Sequence, residues 1–226
     1  TFLAMLLRLL NEGLDLVEGL LRNIEGATGI ALRRAWFRLR LGSCGAHLRV
    51  EPGVHIQGAS AIHLGDNVWI DRGVHLIAVG KRPRPEPGNS TSVSAASPGE
   101  LTIGSLSHVG VNTVIQALGG VRIGDGFTTS AGAKIYSRSN VPTGCRHGTH
   151  PSAEPAPSYR STPVELGSNV WLGLNVCVFG CSIGDDVFVR ANSVLLGRHD
   201  GNSVLTGDPA AAIGPRFPEG RTAAGQ

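Results

Sequence analysis

Along residues 163–213 the apolar signal returns every six positions, at Leu166, Leu172 and Val178 and again at Ile183, Val189 and Leu195. A period of six fits neither an amphipathic helix nor a hairpin strand, whose periods are about 3.6 and 2 residues. It predicts an all-β solenoid, a parallel β-helix. Each hexapeptide supplies one short strand with its aliphatic residue pointing inward, and three hexapeptides close one triangular coil. Gly167, Gly173 and Gly184 each follow an inward residue, where a neighbouring coil approaches a corner and a side chain would be in the way. Asn and Asp nearby suit the same corners.

The pattern extends back through the chain. Val50, Ile56, Leu64, Ile70 and Leu76 read as inward, as do Ile103, Val109, Ile115, Ile123 and Ile135. The steps from Ile56 to Leu64 and from Ile115 to Ile123 are eight, so two extra residues recur at one corner and a coil takes about twenty residues. Between Phe179 and Ile183 the chain is one residue short, which disturbs the register there. Periodicity lapses in two stretches rich in Pro, Ser and Gly, 80–100 and 137–162, which read as loops thrown out of the coil.

Residues 2–24 follow a different rule. Leu3, Leu6, Leu7, Leu10, Leu14, Val17, Leu20, Leu21 and Ile24 share one helical face, with Arg8, Glu12, Asp15 and Arg22 opposite. Arg8 interrupts the apolar run too early for a membrane span, and no small-residue cleavage site follows. After a break at Gly26–Gly29, IALRRAWFRLRL reads as a second helix carrying Arg33, Arg34, Arg38 and Arg40 beside Trp36 and Phe37. The favoured role is an N-terminal α-helical cap, because a β-helix end exposes unpaired strand edges that need cover. The alternative is a foot making peripheral contact with an anionic membrane surface. The expected organisation is a helical segment over 1–43, the β-helix over 44–217 with its two excursions, and a flexible tail over 218–226.

Composition adjusts this picture in three places. With 226 residues, 41% hydrophobic and only 5% aromatic, the core must be Val, Ile, Leu and Ala, as a narrow prism requires. A net charge of +3 is too mild to argue for nucleic acid. The cysteines, Cys44, Cys145, Cys177 and Cys181, form no CxxC pair and read as reduced, buried thiols of a cytosolic protein. Most of His47, His55, His63, His75 and His108 neighbour inward residues and so point outward; no metal site is expected from them.

Three blocks in order, LGSNVWLG, IGDDVFVRANSVL and SVLTGDPAAAI, resemble the hexapeptide-repeat acyltransferases, particularly the sugar O-acetyltransferases related to maltose, galactoside and capsule acetyltransferases. The resemblance covers roughly residues 44–217. It implies a left-handed coil, an exception to the usual right-handed crossover. It also implies a cytoplasmic homotrimer with sites between subunits, transferring acetyl from acetyl-CoA to a sugar hydroxyl in cell-surface polysaccharide or lipopolysaccharide synthesis. In these enzymes a His abstracts the acceptor proton, a contribution of about 100- to 10,000-fold, and a backbone amide stabilises the oxyanion.

Counted without gaps from Ile135, the family's His falls on Asn140, which is no base. Thr149-His150-Pro151 is similar to the family's Thr-His-Pro, so His150 is the expected base, with His147 as competitor. For the donor the resemblance implies Gly173, Ala191, Ser193, Gly207, Pro209 and Ala210, small residues against which a pantetheine arm can lie. Leu196-Gly197 and Ala211 replace the family's Thr-Lys and basic residue, leaving Arg198 or Arg216 to supply the charge. Trp171 is expected to contact the acceptor. Asn140 favours a non-catalytic scaffold as the alternative; a serine acceptor is weaker, because His147-Gly148 lacks the surrounding motif. A related branch holding zinc as a carbonic anhydrase is weaker still. Fold alone does not decide among substrates.

Overall fold

The computed structural model describes residues 2–79, 96–141, 150, 152 and 158–218. Two helices, α1 (Phe2–Arg22) and α2 (Gly26–Arg40), precede short strands stacked on three faces. The first face carries Ser43–Cys44, Ile62–Leu64, Leu101–Ile103, Val121–Ile123 and Val164–Leu166. The second carries Arg49–Val50, Trp69–Ile70, His108–Val109, Thr128–Thr129, Trp171–Leu172, Phe188–Val189 and Val204–Gly207. The third carries His55–Gln57, His75–Ile77, Val114–Gln116 and Lys134–Tyr136. Neighbours within each stack are parallel, as one coil laid on the next requires.

All sixteen residues named above as inward in the β-helix are buried. The structure adds a second inward position two residues earlier in each hexapeptide, as in Leu48 before Val50, Phe127 before Thr129 and Val187 before Val189. Side chains on one side of a strand recur at a period of two, so both residues reach the interior. Some inward positions are polar, Ser107, Thr113, Thr129, Ser193 and Ser203 among them; Thr129 accepts a 2.7 Å hydrogen bond from the Gly110 N–H and lies 3.0 Å from the Thr113 hydroxyl. Mutual satisfaction makes this tolerable in an otherwise aliphatic core.

Coil length follows the predicted count. Ser43 pairs with His63 and Val114 with Lys134, twenty residues apart in each case. In the last coils Cys177 pairs with Val194, seventeen apart, because Cys177–Ile183 and Val194–His199 run round the corner from the third face to the first as continuous strands. The shift that allows this sits between Phe179 and Cys181, at Gly180 with φ +45°. The other two corners are tight. Asn67, Asn169 and Asp186 turn the first into the second, and Asn112, Asn175 and Asn192 turn the second into the third, all with φ between +55° and +61°. Asn and Asp tolerate this left-handed region better than other side chains. At the first of these corners Asp66, Asp125 and Asp185 each accept an N–H from the preceding coil, at 2.6 to 2.7 Å. Gly45, Gly104 and Gly167 leave them room, since a Cβ at each would lie 2.3 to 2.4 Å from the carboxylate.

The third corner accommodates all the length variation. Both excursions leave there. Most of the first lies outside the described residues; its return is pinned by Ala96 N–H to Glu165 at 3.1 Å. The second departs as an antiparallel stalk, Arg138–Asn140 against Tyr159–Ser161, closed by Thr162 N–H to Ser137 O at 2.8 Å. After Val204–Gly207 the chain reverses, and Ala210–Gly214 pairs antiparallel to it.

Three expectations are corrected. α2 starts at Gly26 rather than after Gly29, since Gly29 lies inside the helix against the Ile24 carbonyl, where no Cβ fits. Arg33 is buried, not part of a surface cluster: it donates to the carbonyls of Val50 (3.0 Å), Leu21 (3.1 Å), Arg22 (3.4 Å) and Ile24 (2.7 Å). It thereby ties the end of α1 and the body of α2 to the first coil. Of the described cysteines only Cys181 is buried; Cys44 and Cys177 are half-buried, and Cys145 lies outside the described residues.

Leu172→Ala is expected to destabilise the protein by about 2–5 kcal/mol, read as a lower urea midpoint, because it empties space inside a packed coil. Thr102→Ala, outward on the first face, should stay within about 0.5 kcal/mol. Similar losses for the two would contradict the inward register.

Candidate active site

The corner between the second and third faces, in the last coils, brings together most of the residues expected at the donor site. Gly173 ends the strand Trp171–Leu172, and Ala191 and Ser193 occupy the same corner one coil on. Gly173 N–H donates to Val189 O at 2.8 Å. A Cβ on Gly173 would lie 2.7 Å from the Ala191 nitrogen, so coil stacking alone demands glycine there. Ser193 is buried and accepts the Gly207 N–H at 3.2 Å, which draws the Gly207–Ala210 turn onto this corner. Ala191, Gly207 and Pro209 are exposed, Ala210 is buried, and the corner is an open edge lined by small residues and backbone.

The two arginines part company. Arg216 donates to the carbonyls of Val187 (3.1 Å) and Asn169, and burial, opposed by Asp186, holds its pKa below the ordinary arginine value. Its guanidinium is already committed to the backbone. Arg198 is exposed, on the stretch where Val194–His199 has rounded onto the first face, next to Ser182.

Trp171 stands outward on the second face, 44% exposed, two residues before Gly173. Its ring lies 4.8 Å from Phe188 and its Nε1–H donates to Ser130 Oγ at 3.4 Å. Asn140 is half-buried in the stalk, paired with Tyr159. His150 is exposed and its Nδ1 accepts the Ser152 N–H at 3.1 Å, leaving Nε2 as its free ring nitrogen among the described residues. His147 lies outside the described residues. The excursion is rooted at the corner between the third and first faces, whereas the small-residue edge lies between the second and third. Within one chain a whole face separates the two roots.

Among the described residues no group of three or more His, Cys, Asp or Glu side chains is placed to hold a metal ion. Cys181 is no nucleophile, since burial pushes its thiol up to about 12. A groove of about 610 Å³ lies far from the small-residue edge, between α2 and the first coil, with Ile30, Ala31 and Leu48 below Arg34, Arg38 and Arg49. What sequence reasoning missed is a row of outward side chains on the second face. Arg49 stacks over Trp69 at 4.3 Å, Trp69 lies 5.1 Å from His108, and His108 Nε2 is 2.9 Å from Asp71 Oδ2. The signal was available as polar or aromatic residues one place before each inward aliphatic, at Arg49, Trp69, His108 and Trp171.

Residues 163–196 match the family described as the hexapeptide repeat of succinyl-transferase. Over 126 residues, 55% of this chain, the sequence is 32% identical to a putative colanic acid biosynthesis acetyltransferase of Escherichia coli, and the match takes in 64% of that relative's length. The fold is similar to that of AntD, an N-acyltransferase from Bacillus cereus solved with dTDP and coenzyme A, with TM-score 0.66, 20% identity, and coverage of 82% of this chain and 90% of that one. It is also similar to a maltose O-acetyltransferase from Clostridium difficile, with TM-score 0.58, 20% identity, and coverage of 90% and 84%. At such identities the structural likeness is one of fold. The repeat, the stacked coils and the sequence relatives agree: the chain is built of stacked six-residue repeats and is similar to the hexapeptide-repeat acyltransferases.

Proposed function

We propose that the protein is an acetyl-CoA-dependent O-acetyltransferase acting on a sugar hydroxyl in cell-surface polysaccharide or lipopolysaccharide synthesis. The observation that carries this reading is the convergence of Gly173, Ala191, Ser193 and Gly207 on one open corner beside the outward Trp171. A pantetheine arm needs an edge where backbone is accessible and side chains are short, and this corner is one. Of these residues Ala191 carries most weight, because Gly173, Ser193 and Gly207, the last with φ +108°, already have structural reasons to be there.

In this reading the coil is left-handed and α2 caps its N-terminal end. His150 takes the proton from the acceptor hydroxyl as that oxygen forms the new ester bond to the acetyl carbonyl carbon. The carbon–sulfur bond of the thioester breaks, and the proton passes to the departing thiol. A backbone N–H at the donor corner stabilises the oxyanion between the two steps. Asn140, committed to the stalk, takes no part. Because the His150 excursion and the donor corner are rooted at different edges of one prism, the site is completed by a second copy, as in a homotrimer. The third face suits that contact: Ile77, Tyr136, Phe179 and Leu196 share one outward row, interrupted by Gln116. No described helix is long and apolar enough to cross a membrane. The groove beside α2, with Arg34 and Arg38 above it and Leu39 84% exposed nearby, supports peripheral contact with an anionic cytoplasmic membrane surface.

His150→Ala is expected to lower acetyl transfer to simple hexosides by about 100-fold or more with acetyl-CoA binding retained, while His147→Ala costs far less. Thiol release and calorimetric binding of acetyl-CoA are the measurements; wild-type protein that binds acetyl-CoA and acetylates nothing in a broad panel would support the scaffold instead. Arg198→Ala should weaken acetyl-CoA binding with an unchanged melting temperature, whereas Arg216→Ala should lower the melting temperature by freeing two backbone carbonyls. Reversal of that pair would move the phosphate contact to Arg216. Light scattering should give three times the chain mass at micromolar concentration. A monomer would remove the shared site.

A further inference from the structure

We propose that the second face binds the acceptor as a chain of several sugar units, laid along the stacking direction from Trp171 towards Arg49. This rests on the transferase reading for its purpose but stands on its own geometry. Successive coils place Arg49, Trp69, His108, Thr128, Trp171 and Phe188 in one outward register. Two of the chain's three tryptophans occupy this row, in a protein with little use for rings. Trp69 and Trp171 remain 40% and 44% exposed. Cross-strand pairing accounts for Trp171 against Phe188; Trp69, held between His108 and an Arg49 that is paired with Glu51, still leaves its outer edge to solvent.

The second outward row, two residues further along each strand, includes the polar Asp71 and Ser130. Asp71 holds His108 at 2.9 Å, and Ser130 accepts from Trp171 Nε1. A pyranose has the same two-sided character, a C–H face that stacks on a ring and hydroxyls at its edge that exchange hydrogen bonds. Stacked strands are about 4.8 Å apart, close to the length of one hexose unit, so the three steps from Trp69 to Trp171 span about 14 Å. A protein partner would be better served by the third face, whose outward row is largely apolar. The donor corner adjoins Trp171, so the unit that receives the acetyl group lies there and the rest of the chain runs back over Thr128, His108 and Trp69.

The test is calorimetric titration of the assembled protein, without acetyl-CoA, with size fractions of one to eight units. Fractions come from galacto-oligosaccharides and from hydrolysed colanic acid treated with base to remove existing acetyl groups. Affinity is expected to rise about tenfold or more between one and four units and then level off. Trp69→Ala should abolish that rise and Trp69→Phe should keep most of it, with oligomeric state unchanged in both. The proposal is overturned by affinity independent of length, by wild-type behaviour in Trp69→Ala, or by a change of assembly in that variant, which would make the row a contact between copies. If no fraction binds while simple hexosides are still acetylated, the track falls and the transferase stands. Length-dependent binding without any acetyl transfer leaves the track and removes the transferase.

Discussion

The coil-to-coil backbone hydrogen bond is the constraint on which everything else depends. Trp171 N–H to Val187 O at 2.8 Å and His108 N–H to Phe127 O at 2.7 Å are two of a series that runs the length of the chain. Each strand is only two or three residues long over most of the stack, far too short to be stable alone, so every coil borrows its hydrogen-bond partners from its neighbours. A parallel ladder of this kind survives only if each coil returns to the same register. That requirement explains the aliphatic residue every six positions, the Asn and Asp in left-handed conformation at the tight corners, and the glycines where one coil crosses another's carboxylate.

The same constraint divides the molecule into fixed and free parts. Two corners are held by left-handed turns and close backbone approach, and they vary little. The third absorbs two extra residues per coil, two long excursions, and finally a bulge at Gly180 that lets a strand pass round it. Chemistry on a solenoid needs both kinds of corner: a rigid edge against which a donor lies and a free one from which a reactive loop is sent out. Here they are different edges of one prism, which is why the proposed site needs a second copy.

Arg33 shows how the ends are handled. A buried guanidinium is costly unless its donors are used, and burial does hold its pKa below the ordinary arginine value. Four carbonyls from α1, the interhelix turn and the first coil take up its Nε and Nη1 hydrogens, while its buried Nη2 has no partner among the described residues. One residue therefore fastens the helices to the coil. The neighbouring Arg72–Glu25 pair, at 2.9 and 3.1 Å but exposed on both sides, adds comparatively little.

The sequence by itself determined the period, the inward aliphatic positions, the twenty-residue coil and the two stretches that leave it. All of these are local spacings that the ladder imposes on the chain one hexapeptide at a time. It also picked out Gly173, Ala191, Ser193 and Gly207 through ordered blocks of residues. Only the tertiary structure decided which of them meet, and what already occupies them, since Ser193 with Gly207 and Arg216 with the carbonyls of Val187 and Asn169 are contacts between coils. Arg33 looked like its surface neighbours because charge says nothing of burial when the partners are backbone carbonyls about ten to seventeen positions away. The outward row on the second face was present in the sequence only as separate residues one place before inward aliphatics: Trp69 and Trp171 are 102 residues apart in the chain and become members of one line only when the intervening coils are stacked.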